Sequence, residues 1–309
     1  MEKKAGQKRN CFEGARYDIE HAFSMYALDY CTIPAKAIYE KEALASMMDV
    51  ISKCHIYLIG YTPIICFSGA MQRGEKLCLT FEIAGKKTDL YFDVAGLTLI
   101  NGEDGSLFLE DDKGERFWVS EEAIQVRLAH ETRAVKFMVK YIGQAYGKDG
   151  SRNAIDRLLK HETLQKISLK GVPEGYQLTL LMLSIEPSNQ LVTLINPFAK
   201  SGDSGNSRIT QGLEKARNTN EAEKVSLYEA ALIRYFYPEY NKEFKDSFPS
   251  TNLKILQDCY HKDFSALIAE IFIDDLPFML CSEKVEAKFH HIARHHLHNE
   301  DDRKVFFAM

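Results

Sequence analysis

Residues 135–150 read VKFMVKYIGQAYGKDG, and the fold turns on how this stretch is read. Alternating apolar positions over 135–143 predict a strand, and 146–150 reads as a glycine-bounded loop. Ser151 is a sound N-cap for a following helix, whose apolar side is supplied by Ile155, Leu158, Leu159 and Ile167. Upstream, residues 124–130 read as another strand, and the polar turn 131–134 would join it to 135–143 as a hairpin. Downstream, 176–185 reads as a buried strand, 200–219 as a Gly/Ser/Asn-rich loop, and 221–237 as a helix stopped by Pro238. The order is strand–strand–helix–strand–helix, an α+β arrangement with a small mixed sheet flanked by helices.

Charge divides the chain around this core. The 309 residues carry 39 Lys+Arg against 44 Asp+Glu, a net charge of −5 that argues against a surface basic all round. Yet 133–170 holds nine Lys/Arg against three acids, whereas 101–123 holds eight acids against Lys113 and Arg116. The average therefore hides a local basic segment behind an acidic one. Residues 17–53 show helical spacing, and 76–118 reads as two hairpins, turning at Gly85 and at 112–114. These observations predict an N-terminal α+β module over 1–122, a central domain over 123–245 and a mixed C-terminal extension over 246–309, with a helix at 282–298. No stretch reaches the roughly 18 apolar residues of a membrane helix, and the N-terminus has no signal-peptide pattern. Seven scattered cysteines suit reduced thiols. A soluble, cytoplasmic protein without a membrane partner is the expectation.

Three pieces of the central segment carry chemistry. Tyr141 and Gly143 end the strand. Arg157 and His161 stand four apart, on one face of the expected helix. Glu229 shares an apolar stripe with Val225, Leu232, Ile233 and Phe236, and a carboxylate there is costly unless paired or coordinated. Taken singly, Tyr141 reads as packing, the Arg/His pair as a solvated face and Glu229 as a structural ion-pair member. Lys148 and Arg152, beside the glycine loop, are candidate phosphate contacts or simply solvated. The run FHHIARHHLH (289–298) places His291 and His295 at a spacing that can hold a metal on a helix, but no further ligand completes a set.

In their order and spacing these residues resemble the GIY-YIG nucleases. The likeness covers roughly 124–241: YIG at 141–143, R-x-x-x-H at 157–161, the metal-binding glutamate at Glu229 and a closing P-x-x-N at Pro238 and Asn241. The first half of the family's name is degenerate. About eleven residues before Tyr141 the chain reads LAH, ending at His130. HIYLIGYT (55–62) is closer in letters but lies some 80 residues ahead of YIG, too far for one hairpin unless a whole subdomain is inserted. His130 at the hairpin tip is the expected occupant, and Tyr57 is the alternative.

The resemblance implies a metal-dependent endonuclease hydrolysing phosphodiester bonds of nucleic acid, double-stranded DNA before RNA, in a restriction or anti-phage setting by analogy. Mg²⁺ (or Mn²⁺) would be held by Glu229. Arg157 would clamp the phosphate, Tyr141 or His130 would activate water, and His161 would position or relay the proton. Gly143, Lys148, Arg152 and Asn241 would contact substrate. The rival expectation is a catalytically inactive, nuclease-like protein that binds nucleic acid or scaffolds a complex. A protein partner, or self-association through the N-terminal module, is a further expectation.

Overall fold

The computed structural model describes residues 14–146, 154–185, 190–202, 207–248 and 263–307. In chain order the elements are β1 (Ile19–Pro34), the single-turn helices α1 (Lys41–Leu44) and α2 (Met48–Ile51), and β2 (Ile56–Pro63). Then come β3 (Ile65–Arg73), β4 (Lys76–Ile83), β5 (Lys86–Asp93), β6 (Thr98–Asn101), β7 (Leu107–Glu110), β8 (Arg116–Phe117) and α3 (Glu121–Thr132). They are followed by β9 (Lys136–Gln144), α4 (Ala154–Leu158), α5 (Glu162–Lys170), β10 (Tyr176–Ile185), β11 (Gln190–Ile195), α6 (Ser207–Arg217) and α7 (Glu221–Phe236). β12 (Ala266–Phe272), β13 (Met279–Cys281) and β14 (His290–His296) close the chain. No helix among the described residues is long and apolar enough to cross a membrane.

The fold is mixed α+β, built on one curled eight-stranded sheet of order β13-β9-β2-β10-β1-β12-β14, with β11 also on β1. The sixteen-residue β1 is the spine: its second half pairs antiparallel with β10, and its first half lies between β11 and a parallel β12. Residues 19–25 of β1 are all buried and lack two-residue alternation, which is why that part of 17–53 reads as helical from spacing alone, whereas 35–51 does form short helical turns. Strands of this sheet come from all three segments expected as separate modules. The boundaries expected at 122 and 245 therefore cut through hydrogen-bonded partners.

The decisive pairing is β2 with β9, antiparallel neighbours that match Ile56 with Gln144, Tyr57 with Gly143 and Ile59 with Tyr141. They form a hairpin opened by an excursion over 64–135. That excursion consists of the sheets β3-β4-β5 and β6-β7-β8 and the helix α3. The hairpins expected over 76–118 are present, with Ala84 and Gly85 both at positive φ in the β4–β5 turn.

Residues 124–130, expected as a strand, lie instead in α3. Ser120 caps it by accepting from the Ala123 N–H, Arg127 and Glu131 form an i,i+4 pair at 2.6 Å, and Ile124, Leu128 and Ala129 face the core. The expected loop at 200–219 contains α6. The expected histidine helix is the strand β14, paired antiparallel with β12. There His291 and His295 point towards α7: His291 Nδ1 meets the Tyr235 hydroxyl at 3.1 Å and His295 Nε2 the Ala231 carbonyl at 3.0 Å. They are satisfied core histidines, and among the described residues no three His, Cys, Asp or Glu side chains form a group that could hold a metal. The described cysteines are free thiols.

Candidate active site

Two strands bring two tyrosines together. β2 is buried throughout, so Tyr57 is held rigidly against β9, with 1% of its surface exposed. Its ring lies over Gly143, where a Cβ would fall 2.5 Å from Tyr57 Oη and 2.8 Å from Tyr141 Cε1. Any larger residue would displace the phenol, so the glycine of YIG is the steric partner of Tyr57. The Tyr57 and Tyr141 rings stack with centroids 6.3 Å apart.

His161 completes this floor, edge-on to Tyr57 at 5.5 Å and tilted on Tyr141 at 5.0 Å. It does not share a helix with Arg157, as the spacing predicts. α4 ends at Leu158, and His161, in extended conformation, caps α5 by accepting the Leu164 N–H at Nδ1. The neutral ring therefore carries its proton on Nε2.

From α7, Glu229 projects into the same space, 8% exposed and close to Gln144, whose side-chain amide meets the Ser226 hydroxyl at 3.4 Å. A capping box between Asn220 and Glu223 starts that helix, and Tyr237 in left-handed conformation ends it. Beyond it, residues 240–241 serve as a partial sheet edge. β13 covers β9 only over 136–138, and past that point Tyr240 N–H donates to the Lys140 carbonyl. Asn241 bonds both backbone groups of Ile142, at 2.9 and 2.8 Å. Asn241, expected to touch substrate, lines the same cleft as Glu229 and also clamps the YIG strand. Tyr57, Tyr141, Gln144, Arg157, Glu229 and Glu243 all line one cleft of about 770 Å³.

Burial and charge set the protonation states here. Burial drives the Tyr57 hydroxyl well above the usual phenol range; the charge of the nearby Arg157 guanidinium opposes this without cancelling it. Tyr141 is pushed up to about 12 by burial and by Glu229. Burial, with the Arg157 charge, takes His161 down to about 4, so it is neutral near pH 7. Burial and the neighbouring Glu243 carboxylate push Glu229 up to about 8. A carboxylate that is strained when ionised yet open to a cleft suits a cation that needs few protein ligands and keeps its waters, as Mg²⁺ does. The donor set does not suit a closed zinc or calcium cage.

Of the expected site residues, Tyr141, Gly143, Arg157, His161 and Glu229 converge here. Lys148 and Arg152 lie outside the described residues. His130 is elsewhere: on α3, its Nε2 meets the Asp274 carbonyl at 2.8 Å, and its ring stacks on Phe289 at 4.0 Å. The place expected for His130 is taken by Tyr57, because the hairpin spans the excursion rather than a short turn. Gln144 and Glu243 were missed; Gln144 directly follows YIG, whereas nothing in the sequence marks Glu243. No family model, curated protein or solved structure matches the chain.

Proposed function

We propose that this protein is a metal-dependent phosphodiester hydrolase of the GIY-YIG type, acting on nucleic acid, with HIY at 55–57 as the displaced first half of its motif. The observation that carries the reading is Tyr57 seated over Gly143, with Tyr141, Arg157 and Glu229 lining the same cleft and His161 packed against both tyrosines. The rival reading, a catalytically inactive relative, rests on a missing first tyrosine, and Tyr57 beside Gly143 supports the active one.

In this reading Arg157, exposed at the cleft, clamps the non-bridging oxygens of the scissile phosphate as negative charge builds. The Tyr57 phenol, neutral and fixed by packing, orients the attacking water by accepting a hydrogen bond from it, and the water's proton passes to solvent as the bond to phosphorus forms and the bond to the leaving oxygen breaks. Tyr141 holds the Tyr57 ring in line. His161 positions the two phenols; its Nδ1 is already an acceptor for α5, so a relay through it has no free base. Glu229 would hold Mg²⁺ or Mn²⁺, with Gln144 and Glu243 beside it in the cleft, and the ion would supply charge neutralisation at the phosphate and the leaving oxygen.

The test is cleavage of plasmid DNA, and of RNA in parallel, with Mg²⁺ or Mn²⁺, comparing the wild type with Glu229→Ala and Arg157→Ala. Cleavage by the wild type and its loss in both variants is the expected result. Equal nicking by all three would sink the assignment, and no cleavage of any nucleic acid by the wild type would favour a binding role. Double-stranded DNA as the substrate, and a defence setting, rest on the resemblance alone.

A further inference from the structure

The excursion over 64–135 holds eight Lys/Arg and thirteen Asp/Glu, a net −5 equal to that of the whole chain. The rest of the molecule is formally neutral. Three of its cations sit against its own carboxylates: Lys76 at 3.0 Å from Asp93, Arg116 at 3.9 Å from Glu110 and Arg127 at 2.6 Å from Glu131. Glu103, Asp104, Asp112, Glu115, Glu121 and Glu122 are exposed and, among the described residues, form no ion pair.

Within this acidic body lies a second cleft, of about 540 Å³, formed where β3, β4, the β6–β7 turn and α3 meet. Phe67, Leu107, Trp118, Ile124 and Leu128 line it, with Glu121 at its rim. Phe67 and Trp118, the chain's single tryptophan, are 48% and 41% exposed, and Phe117 beside them is 43% exposed. Large aromatic side chains left wet around an apolar cleft are the composition of a protein-binding hot spot. The acidic surround repels a phosphate backbone, which rules against a platform for nucleic acid.

We infer that the excursion is a docking module for a basic, amphipathic segment of a partner protein, whose aliphatic or aromatic anchor enters the Phe67/Trp118 cleft while its Lys/Arg side chains face Glu121, Glu122 and the neighbouring acids. Apolar burial holds the segment, and charge steers it and selects against acidic competitors. The module is inserted between β2 and β9, the strands that carry Tyr57 and Tyr141, so a partner bound there is tethered close in the chain to the cleft of the proposed hydrolase. The inference does not depend on that activity.

The experiment uses the full chain and a labelled peptide of three Lys-Leu-Leu-Lys repeats, read by peptide anisotropy and by Trp118 fluorescence. Oligolysine of equal length and a short DNA duplex serve as comparators. The peptide is expected to bind at least about tenfold tighter than oligolysine, equivalent to ~1.4 kcal/mol, to shift Trp118 emission and to weaken with added salt. Trp118→Ser and, separately, the pair Glu121→Gln and Glu122→Gln should each weaken binding by about tenfold, while plasmid cleavage is unchanged. All three positions are exposed, so the fold should survive these changes, which far-UV circular dichroism checks. Oligolysine binding as tightly as the amphipathic peptide would reduce the site to bulk charge and overturn the proposal. So would duplex binding that Trp118→Ser abolishes, self-association in sedimentation that depends on Trp118, or no peptide binding at all.

Discussion

At the residue scale, the site is a set of groups whose proton affinities are moved by burial. Tyr57 is the discriminating one. Tyr57→Phe keeps the ring over Gly143 but removes the hydroxyl that orients the water, so cleavage should fall by about 10²-fold with folding intact. His130→Ala, far from the cleft, should leave the rate within about twofold of wild type on the same residue-scale reasoning. The reverse pattern in a nicking assay would return the role to His130. Glu229 yields a prediction about stability. The folded protein keeps its proton up to about pH 8, whereas an ordinary glutamate ionises near 4.5. The folded state therefore binds the extra proton between those values, and stability falls as pH rises through that window. Glu229→Gln, which cannot ionise, should match the wild type near pH 4 and exceed it by about 1–3 kcal/mol at pH 8.5, measured by urea unfolding. An equal difference at both pH values would show that the carboxylate is not held protonated.

At the scale of elements, the β2–β9 pair is the working unit, and two contacts keep it in register with the site. Gly143→Ala would set a Cβ against the Tyr57 phenol, with a cost of about 1–3 kcal/mol from overpacking and a loss of activity at least as large as that of Tyr57→Phe. Thermal denaturation and the nicking assay read the two effects apart. Asn241→Ala would leave the Ile142 N–H and carbonyl without partners at a buried strand edge, costing about 2–3 kcal/mol. Its catalytic loss should accompany a loosened β9, detectable as faster amide exchange over 140–143 while α7 stays protected. The helices show the same dependence on local capping. R-x-x-x-H looks like one helical face, but the imidazole of His161 is a better N-cap acceptor than a helical side chain once two tyrosines cover it.

At the scale of the whole molecule, the ends of the chain are tied through charge. Glu20 on β1, fully buried, receives Arg303 from the C-terminal segment at 2.6 and 2.9 Å and Ser265 at 2.7 Å, and Arg303 also reaches Asp263 at 2.8 Å. Removing one member leaves a buried charge without its main partner. Arg303→Ala is therefore expected to cost about 3–5 kcal/mol in chemical denaturation, far more than loss of an exposed pair such as Lys76–Asp93. A small effect would mean that Arg208, 3.4 Å from Glu20, suffices alone. The molecule also separates its charges by part: the excursion holds the net negative charge, while the cleft presents Arg157. Nucleic acid, in the proposed function, would meet one face and a basic partner another.

Much of the site was legible in the letters. Tyr141, Gly143, Arg157, His161 and Glu229 are drawn together as their types and order suggest, and the strands over 135–143 and 176–185, the helix over 221–237 and the hairpins over 76–118 all stand where local periodicity puts them. Those features depend on neighbours near in sequence, which a pattern records. The partner of Gly143 does not. Antiparallel pairing is satisfied by any strand the chain can bring alongside, and residues 64–135 close on themselves well enough to let 56–63 return to 136–144. Short spacing pointed to His130, which helical capping and the Arg127–Glu131 pair had already committed to α3. The sequence by itself determined which chemical groups the site could use. Only the tertiary structure decided that Tyr57 and not His130 stands beside Tyr141, because that choice rests on long-range strand register and on the absence of a Cβ at Gly143.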